Sequence, residues 1–442
     1  MITRREFLDG LAVTAAGAAI GSVGFTAKSY AQIAGANDRV NFAINGLNGR
    51  GYAHLSALKS NEKTARVTHV CDVDSGILAK FAGAANKQLG YAPESAGDFR
   101  KVLESKNVDA ITIATPDHWH TPMAVLALKA GKHVYVEKPS SHNPREGELL
   151  VESQEKHGKL VQVGDQQRSS DHTIRIIGKI HSGLIGRAYY AKAWYVNTRK
   201  SIGIGKPVPV PASLNWDLWQ GPAPRSEFKD NLQPYNWHWF RRYGTGEALN
   251  NGTHEVDVCR WALGVDYPER VTASGGRYAF KDDWQYPDTM VTSFEYPDHM
   301  LSWEGRCCNG MKIHDRERGS SILGTEGSVL LDRDGYEVYD LKGRKTDEFK
   351  TGTQTSTSDL RGRDNMTDAH FANFIAGIQK GEKLNSPIQI ANVSVTTLLL
   401  SNIAWIVQRE LKLDTKTAHV LNDPEAMKLW GREYEKGWEV RA

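Results

Sequence analysis

Lys138 is the residue of this chain best placed to do proton chemistry. It follows a short apolar run, Val134 to Val136, and precedes Pro139. An amine partly withdrawn from water would lose its proton nearer neutrality, or would stay charged and polarise a bound oxygen. Oxidising an alcohol requires such a group, because the hydroxyl proton must leave as the carbon loses hydride. A second set lies further along, where Asn250, His254, Asp257 and Trp261 recur at helical spacing and can share one face. His254 then reads as a proton relay beside Lys138, with Asn250 and Asp257 as substrate contacts. The same spacing also lets Asp257 pair with Arg260 on a solvated face. Asp117, His118 and His120 form a third set, whose histidines are expected to reach cofactor or substrate. Together with His254 this set matches no zinc signature, and no metal is expected.

These residues need a frame to hold them. Val108 to Ala114 is a continuous apolar run with β-branched residues, as expected of a parallel strand buried on both faces. Thr121 is expected to cap the next helix, with Pro122 in its first turn and Gly131 at the left-handed position after it. Val134 to Val136 is the following strand. Strand, crossover helix and strand make a parallel βαβ unit, so Glu137 and Lys138 emerge at a carboxyl edge, where open α/β sheets bind ligands. Upstream, Arg39 to Asn45 reads as a strand and Gly46 to Gly51, GLNGRG, as a degenerate dinucleotide turn. Gly46 would make the tight bend, Asn48 and Gly49 would let backbone near a pyrophosphate, and Gly51 would permit close helix packing. The strand Arg66 to Cys71 ends at Asp72, about 26 residues beyond Gly46. A carboxylate there accepts from ribose hydroxyls and repels a 2′-phosphate, which points to NAD rather than NADP. Asn143 and Pro144 start a helix that stops near Gly158.

Five segments carry a family resemblance. ATPDHWH at Ala114 to His120, AGKHVYVEKP at Ala130 to Pro139, QVGDQQRSS at Gln162 to Ser170, WDLWQGPAP at Trp216 to Pro224 and NNGTHEVD at Asn250 to Asp257 together resemble the Gfo/Idh/MocA family, the relatives of glucose-fructose oxidoreductase and inositol dehydrogenase. The resemblance implies an N-terminal Rossmann NAD-binding domain over residues 38 to 158. An α+β domain with a large, mainly antiparallel sheet would follow over 159 to 442. It also implies hydride transfer between tightly bound NAD and a secondary alcohol of a sugar, glycoside or polyol. Thr115, Pro116, Arg50 and Glu137 would join the glycine turn, Asp72, His118, His120 and Lys138 around the cofactor. Gln166 and Arg168 would face the substrate. Some relatives are redox glycosidases that oxidise, eliminate, add water and reduce again, and some bind sugar or NAD without catalysis, so both alternatives stay open. Relatives commonly pair through an open sheet face, and a homo-oligomer is expected. One departure matters: inositol dehydrogenase-like members carry Asp four residues before the histidine, where this chain has Asn250. An amide orients a hydroxyl but takes no proton, so proton flow must rest on Lys138 and His254.

The rest of the sequence sets limits. A chain of 442 residues is long for one core, and two domains are the natural division. A net charge of +3 without a basic, aromatic-laced stripe argues against nucleic acid. Arg4 and Arg5, an Ala/Gly-rich stretch to about Phe25 and a Ser29, Tyr30, Ala31 site resemble a twin-arginine export signal over residues 1 to 31. That implies the twin-arginine translocase as a passing partner, a periplasmic location and no stable membrane span after cleavage. No other stretch is expected to reach about 18 apolar residues. Four cysteines, Cys71, Cys259, Cys307 and Cys308, are too few for a disulfide scaffold. Beyond Lys159, runs such as Ala188 to Val196, Val271 to Arg277 and Met290 to Tyr296 predict strands joined by turns, and Thr325, Glu326 and Gly327 resemble the family's GTEG turn between strands. Asn197 to Phe240 is aperiodic, and its Trp216, Trp219, Trp237 and Trp239 would either face sugar rings or pin the loop.

Overall fold

Apolar runs that cannot face water on either side close the first half into a parallel sheet. Its strands are β1 (Val40–Asn45), β2 (Ala65–Cys71), β3 (Glu94–Ala96), β4 (Ala110–Ile113), β5 (His133–Val136) and β6 (Val161–Val163), in the order β3-β2-β1-β4-β5-β6. All residues of β4 and β6 are buried, and most of β1, β2 and β5. The order reverses between β1 and β4, which opens a crevice at their carboxyl ends. This computed structural model describes residues 39 to 352 and 364 to 442, so the leader expected over residues 1 to 31 lies outside them.

Local signals behave largely as their chemistry requires. Asn143 caps the helix Pro144–His157 by accepting from the Glu146 backbone N–H at 3.1 Å, and Gly158 ends it with φ 63°. Thr121 does not cap. The helix His120–Lys129 starts two residues earlier than that cap requires, behind a short 3₁₀ turn at Asp117–Trp119, and the Thr121 hydroxyl donates instead to the Ser140 carbonyl at 2.9 Å. Tertiary pairing with the segment after Lys138 outbids the local cap.

The second half is built on β7 (Ala188–Thr198), β8 (Arg270–Gly276), β9 (Thr289–Glu295), β10 (Met300–Arg306), β11 (Cys308–Asn309), β12 (Arg318–Gly324), β13 (Gly327–Leu331), β14 (Gly335–Asp340), β15 (Lys345–Lys350) and β16 (Leu411–Lys412). The path runs β15-β14-β13-β12-β7-β10-β9-β8-β16, with β11 beside β7. Every pair is antiparallel except β7 with β10. Thr325 and Glu326 make the β12–β13 turn. The helix Gly252–Leu263 lies on this sheet, with Val256, Cys259 and Ala262 in the core beside Trp303 and Ile322.

The division at residue 158 is not where packing changes. β6 completes the first sheet just beyond it, and the helix Asn365–Lys380 returns to cover that same sheet. Phe371 lies flat on Tyr135 with centroids 4.2 Å apart, and Phe374 sits 6.2 Å from Phe42. The helix Ile388–Val407 also corrects an expectation, since it is long and apolar enough to cross a bilayer. Its first turns instead join the core of the parallel sheet at Ile388 and Ala391, and Val395 to Ala404 fill the core of the second. Cys71, Cys259 and Cys307 are buried, Cys308 is partly exposed, and all four thiols are free.

Candidate active site

A cavity of about 1180 Å³ runs from the β1 turn to the inner face of the second sheet. That exceeds the roughly 300–1,000 Å³ typical of a single small-ligand pocket, so it has room for a dinucleotide together with a second molecule. Gly46 turns the chain at one end with φ 85°, and a Cβ there would lie 2.5 Å from the Ala114 carbonyl oxygen. Asn48, Gly49 and Arg50 line the cavity, while Gly51 begins the helix Gly51–Ser60 beneath the Gly46 carbonyl and stays outside it. Asp72 also lines the cavity and accepts from the backbone N–H groups of Leu47 at 2.9 Å and Asp74 at 3.0 Å. Burial pushes its carboxyl up to about 6 against those bonds, so it is mostly ionised at neutral pH.

The strand-end residues converge as expected, with altered roles. Glu137 borders the cavity, but its Oε1 accepts from Arg50 Nε at 2.9 Å, lies 2.9 Å from His54 Nε2 and accepts from Gln166 Nε2 at 3.1 Å. Burial alone would raise its pKa; Arg50 and His54 outweigh burial and hold it well below the carboxylate range. Glu137 therefore anchors the strand end from the cavity wall, and Gln166 shares that work while also lining the cavity. Lys138 extends its ammonium into the cavity and donates to the Asn250 backbone carbonyl. Burial lowers its pKa, opposed by Glu137 and Asp117 and assisted by Arg318 and Arg333. Asn250 contributes its amide too, which donates to the Tyr235 hydroxyl at 3.2 Å. His254 lines the same cavity, and burial followed by the cations of Arg333 and Lys138 keeps its ring well below the usual histidine pKa, hence neutral. Thr115 and Pro116 are on the wall; His120 joins them, its Nε2 2.8 Å from the Thr115 carbonyl and its Nδ1 2.6 Å from that of Pro139.

Three expected site residues lie elsewhere. His118 is fully buried between the Trp219 carbonyl, 3.0 Å from Nε2, and the Tyr243 carbonyl, 3.3 Å from Nδ1, and it does not line the cavity. The 3₁₀ turn rotates it away from its neighbours Asp117 and His120. Arg168 and Asp257 are not substrate contacts; they form a buried bidentate pair at 2.6 and 2.9 Å, and Asp257 also accepts from Ser394. Asp257 thus pairs with Arg168 and not with Arg260, because the helix carrying it starts at Gly252 and points that face inward. Asn250 closes a separate short helix, Gly246–Asn250, so the assumed common face does not exist.

Other wall residues escaped the sequence reading. Tyr195, Asn197 and Arg199 line the cavity from the end of β7, at alternate positions that a strand turns to one side. That alternation was the available signal. Arg199 is held by Glu247 at 3.0 Å and Arg318 by Glu255 at 2.7 and 2.9 Å. Of the four loop tryptophans, Trp219 and Trp237 reach the cavity; Trp216 stacks on Trp219 at 4.9 Å, and Trp239 lies on Trp284 at 3.9 Å.

Residues 40–165 match the model described as "Oxidoreductase family, NAD-binding Rossmann fold", and residues 199–391 match the C-terminal α/β domain of the same family. The chain belongs to the Gfo/Idh/MocA family. Among family relatives it is 30% identical over 213 residues to a glycosyl hydrolase family 109 protein of Shewanella sp., covering 44% of this chain and 46% of that one. It is 26% identical over 297 residues to the scyllo-inositol 2-dehydrogenase (NAD(+)) of Bacillus subtilis, covering 66% of this chain and 74% of that one. The alignment thus spans about half the length of the first of these relatives. A solved dehydrogenase, WlbA of Bordetella pertussis in complex with NADH and UDP-GlcNAcA, superposes with TM-score 0.64 at 19% identity, over 85% of this chain and 99% of that one. The family's dinucleotide fits the residues present: the Gly46 bend leaves no room for a Cβ, and Asp72 keeps acceptor capacity beyond its two backbone bonds.

Two outcomes follow from this geometry. Affinity for NAD should fall as pH drops below about 6, approaching tenfold per unit, because protonation removes the ionised acceptor. Asp72→Asn should flatten that profile and narrow the preference over NADP, both read by titration calorimetry. Asp257→Ala should cost about 3–5 kcal/mol in denaturant unfolding by leaving Arg168 buried without its counter-ion, while NAD affinity stays unchanged.

Proposed function

We propose that this protein is an NAD-dependent oxidoreductase acting on a secondary alcohol of a sugar, glycoside or polyol. The observation that carries this reading is the Lys138 ammonium, drawn into the cavity by the Asn250 carbonyl, with neutral His254 on the same cavity and Asp72 at its far end. Bound NAD supplies the hydride acceptor or donor. Burial favours the neutral amine of Lys138, and in that form it accepts the substrate hydroxyl proton and becomes the ammonium as the carbon gives up hydride. His254 accepts a hydrogen bond or proton from that amine or from the substrate. Asn250 aims Lys138 through its main chain, so an amide side chain in place of the aspartate of inositol dehydrogenase-like members leaves the lysine oriented. The His120 ring sits between the Thr115 and Pro139 carbonyls and donates to one of them, which steadies the backbone on which Lys138 stands.

Lys138→Met should lower turnover on an oxidised sugar by about 10²–10⁴-fold while NAD binding persists; full turnover in that variant would overturn the reading. The glycosyl hydrolase family 109 relatives favour a second reading, a redox glycosidase with no net change in NAD. Release of nitrophenol from a nitrophenyl glycoside without accumulation of NADH absorbance would decide for it.

Export by the twin-arginine route is proposed on Arg4 and Arg5 followed by the weakly apolar stretch to about Phe25. That route passes folded proteins, which suits a tightly held cofactor. Replacing both arginines by lysine should leave the protein in the cytoplasmic fraction with its sugar oxidation intact. Equal periplasmic recovery of that variant and the parent would remove the proposal.

A further inference from the structure

The cavity contains a cation that the mechanism above does not use. Arg333 stands in the turn between β13 and β14, is partly exposed, and lines the cavity. The turn is held from several sides. Asp332 accepts from Arg316 Nε at 2.6 Å, its carbonyl lies 3.2 Å from His172 Nε2, and the Asp334 carbonyl accepts from the Thr351 N–H at 2.8 Å. A fixed backbone therefore presents the guanidinium. Among the described residues Arg333 makes no ion pair and donates no hydrogen bond, in contrast to the other arginines of the cavity. Arg50 is held by Glu137, Arg199 by Glu247 and Arg318 by Glu255. The carboxylates nearest in charge to Arg333 are Glu255 and Asp364. Glu255 is committed to Arg318, and Asp364 accepts from the Thr367 hydroxyl and lies 3.8 Å from Arg50.

A guanidinium facing a cleft without a counter-ion calls for an anion from the ligand. Two anions are at issue, the dinucleotide pyrophosphate and a charge on the substrate. The pyrophosphate belongs at the Gly46 turn and the start of the helix Gly51–Ser60. Arg333 acts electrostatically on His254 and Lys138, the groups that would meet the alcohol, and also on Arg50 of the dinucleotide turn. Burial and the neighbouring Arg318 lower its own pKa to about 10, a cost that a bound anion would offset. A planar carboxylate matches the guanidinium fork with two parallel bonds.

We propose that the substrate is an acidic sugar, a uronate or a uronate glycoside, and that Arg333 binds its carboxylate while Lys138 meets a ring hydroxyl. The proposal rests on the oxidoreductase reading for the position of that hydroxyl, and on the unpaired guanidinium for the charge.

The test is calorimetric titration of the full chain, saturated with NAD, with D-glucuronate, D-galacturonate, D-glucose and glucose 6-phosphate. The uronates should bind at least about tenfold more tightly than glucose. Arg333→Ala should weaken them by about 30-fold or more while leaving NAD and glucose affinities unchanged, and Arg333→Lys should recover part of the loss. Equal affinity for glucose and glucuronate, a preference for the phosphate ester, or a loss of NAD affinity in Arg333→Ala would each overturn the proposal. Uronate binding that depends on Arg333 without any oxidation would keep the proposal and sink the oxidoreductase reading. Oxidation of neutral sugars, unchanged in Arg333→Ala, would do the reverse.

Discussion

The buried Glu137 carboxylate is the constraint on which the site depends. A charge there would cost several kcal/mol if left unpaired, and three side chains from different parts of the chain answer it: Arg50 from the dinucleotide turn, His54 from the first helix and Gln166 from beyond β6. Arg50 then donates to the Thr367 hydroxyl at 2.8 Å, which links the returning helix Asn365–Lys380 to the same point. Gly164 makes this possible, since a Cβ there would lie 2.6 Å from Glu137 Oε2. With Glu137 fixed, the next residue has little freedom, and Lys138 is aimed at the cavity by its neighbour's ion pairs as much as by its own hydrogen bond.

The cavity is polarised from end to end. At the β1 turn the exposed backbone and Asp72 suit ribose hydroxyls and phosphate. Toward the second sheet the wall carries Arg199, Arg318 and Arg333, Lys138 reaches in from the end of β5, and a histidine is kept neutral among them. A neutral imidazole between cations can accept a hydrogen bond where a charged one would only repel.

Much of this frame was legible in the residues. The parallel strands declare themselves by unbroken apolar runs, and the positions of Gly46, Asp72 and Lys138 follow from where those runs stop. The errors share a cause. His118, Arg168 and Asp257 are polar residues within the motif segments, and spacing along the chain cannot say which side of a short 3₁₀ turn or helix faces the cleft. His254 was found and Asp257 misplaced because the helix begins at Gly252, after a break at Asn251 that periodicity does not mark. That the Asn250 main chain, and not its side chain, holds Lys138 is invisible to any reading of residue types. Arg333 looks like an ordinary hairpin residue in LDRDG, since its meaning depends on which partners three-dimensional packing withholds.

The helix Asn365–Lys380 lays Phe371 and Phe374 against Phe42 and Tyr135, residues more than two hundred positions earlier in the chain. As the polypeptide leaves the ribosome, the nucleotide-binding half therefore emerges with that flank of its sheet only partly covered, by helices such as Gly51–Ser60, and it stays so until the chain has been made past Lys380.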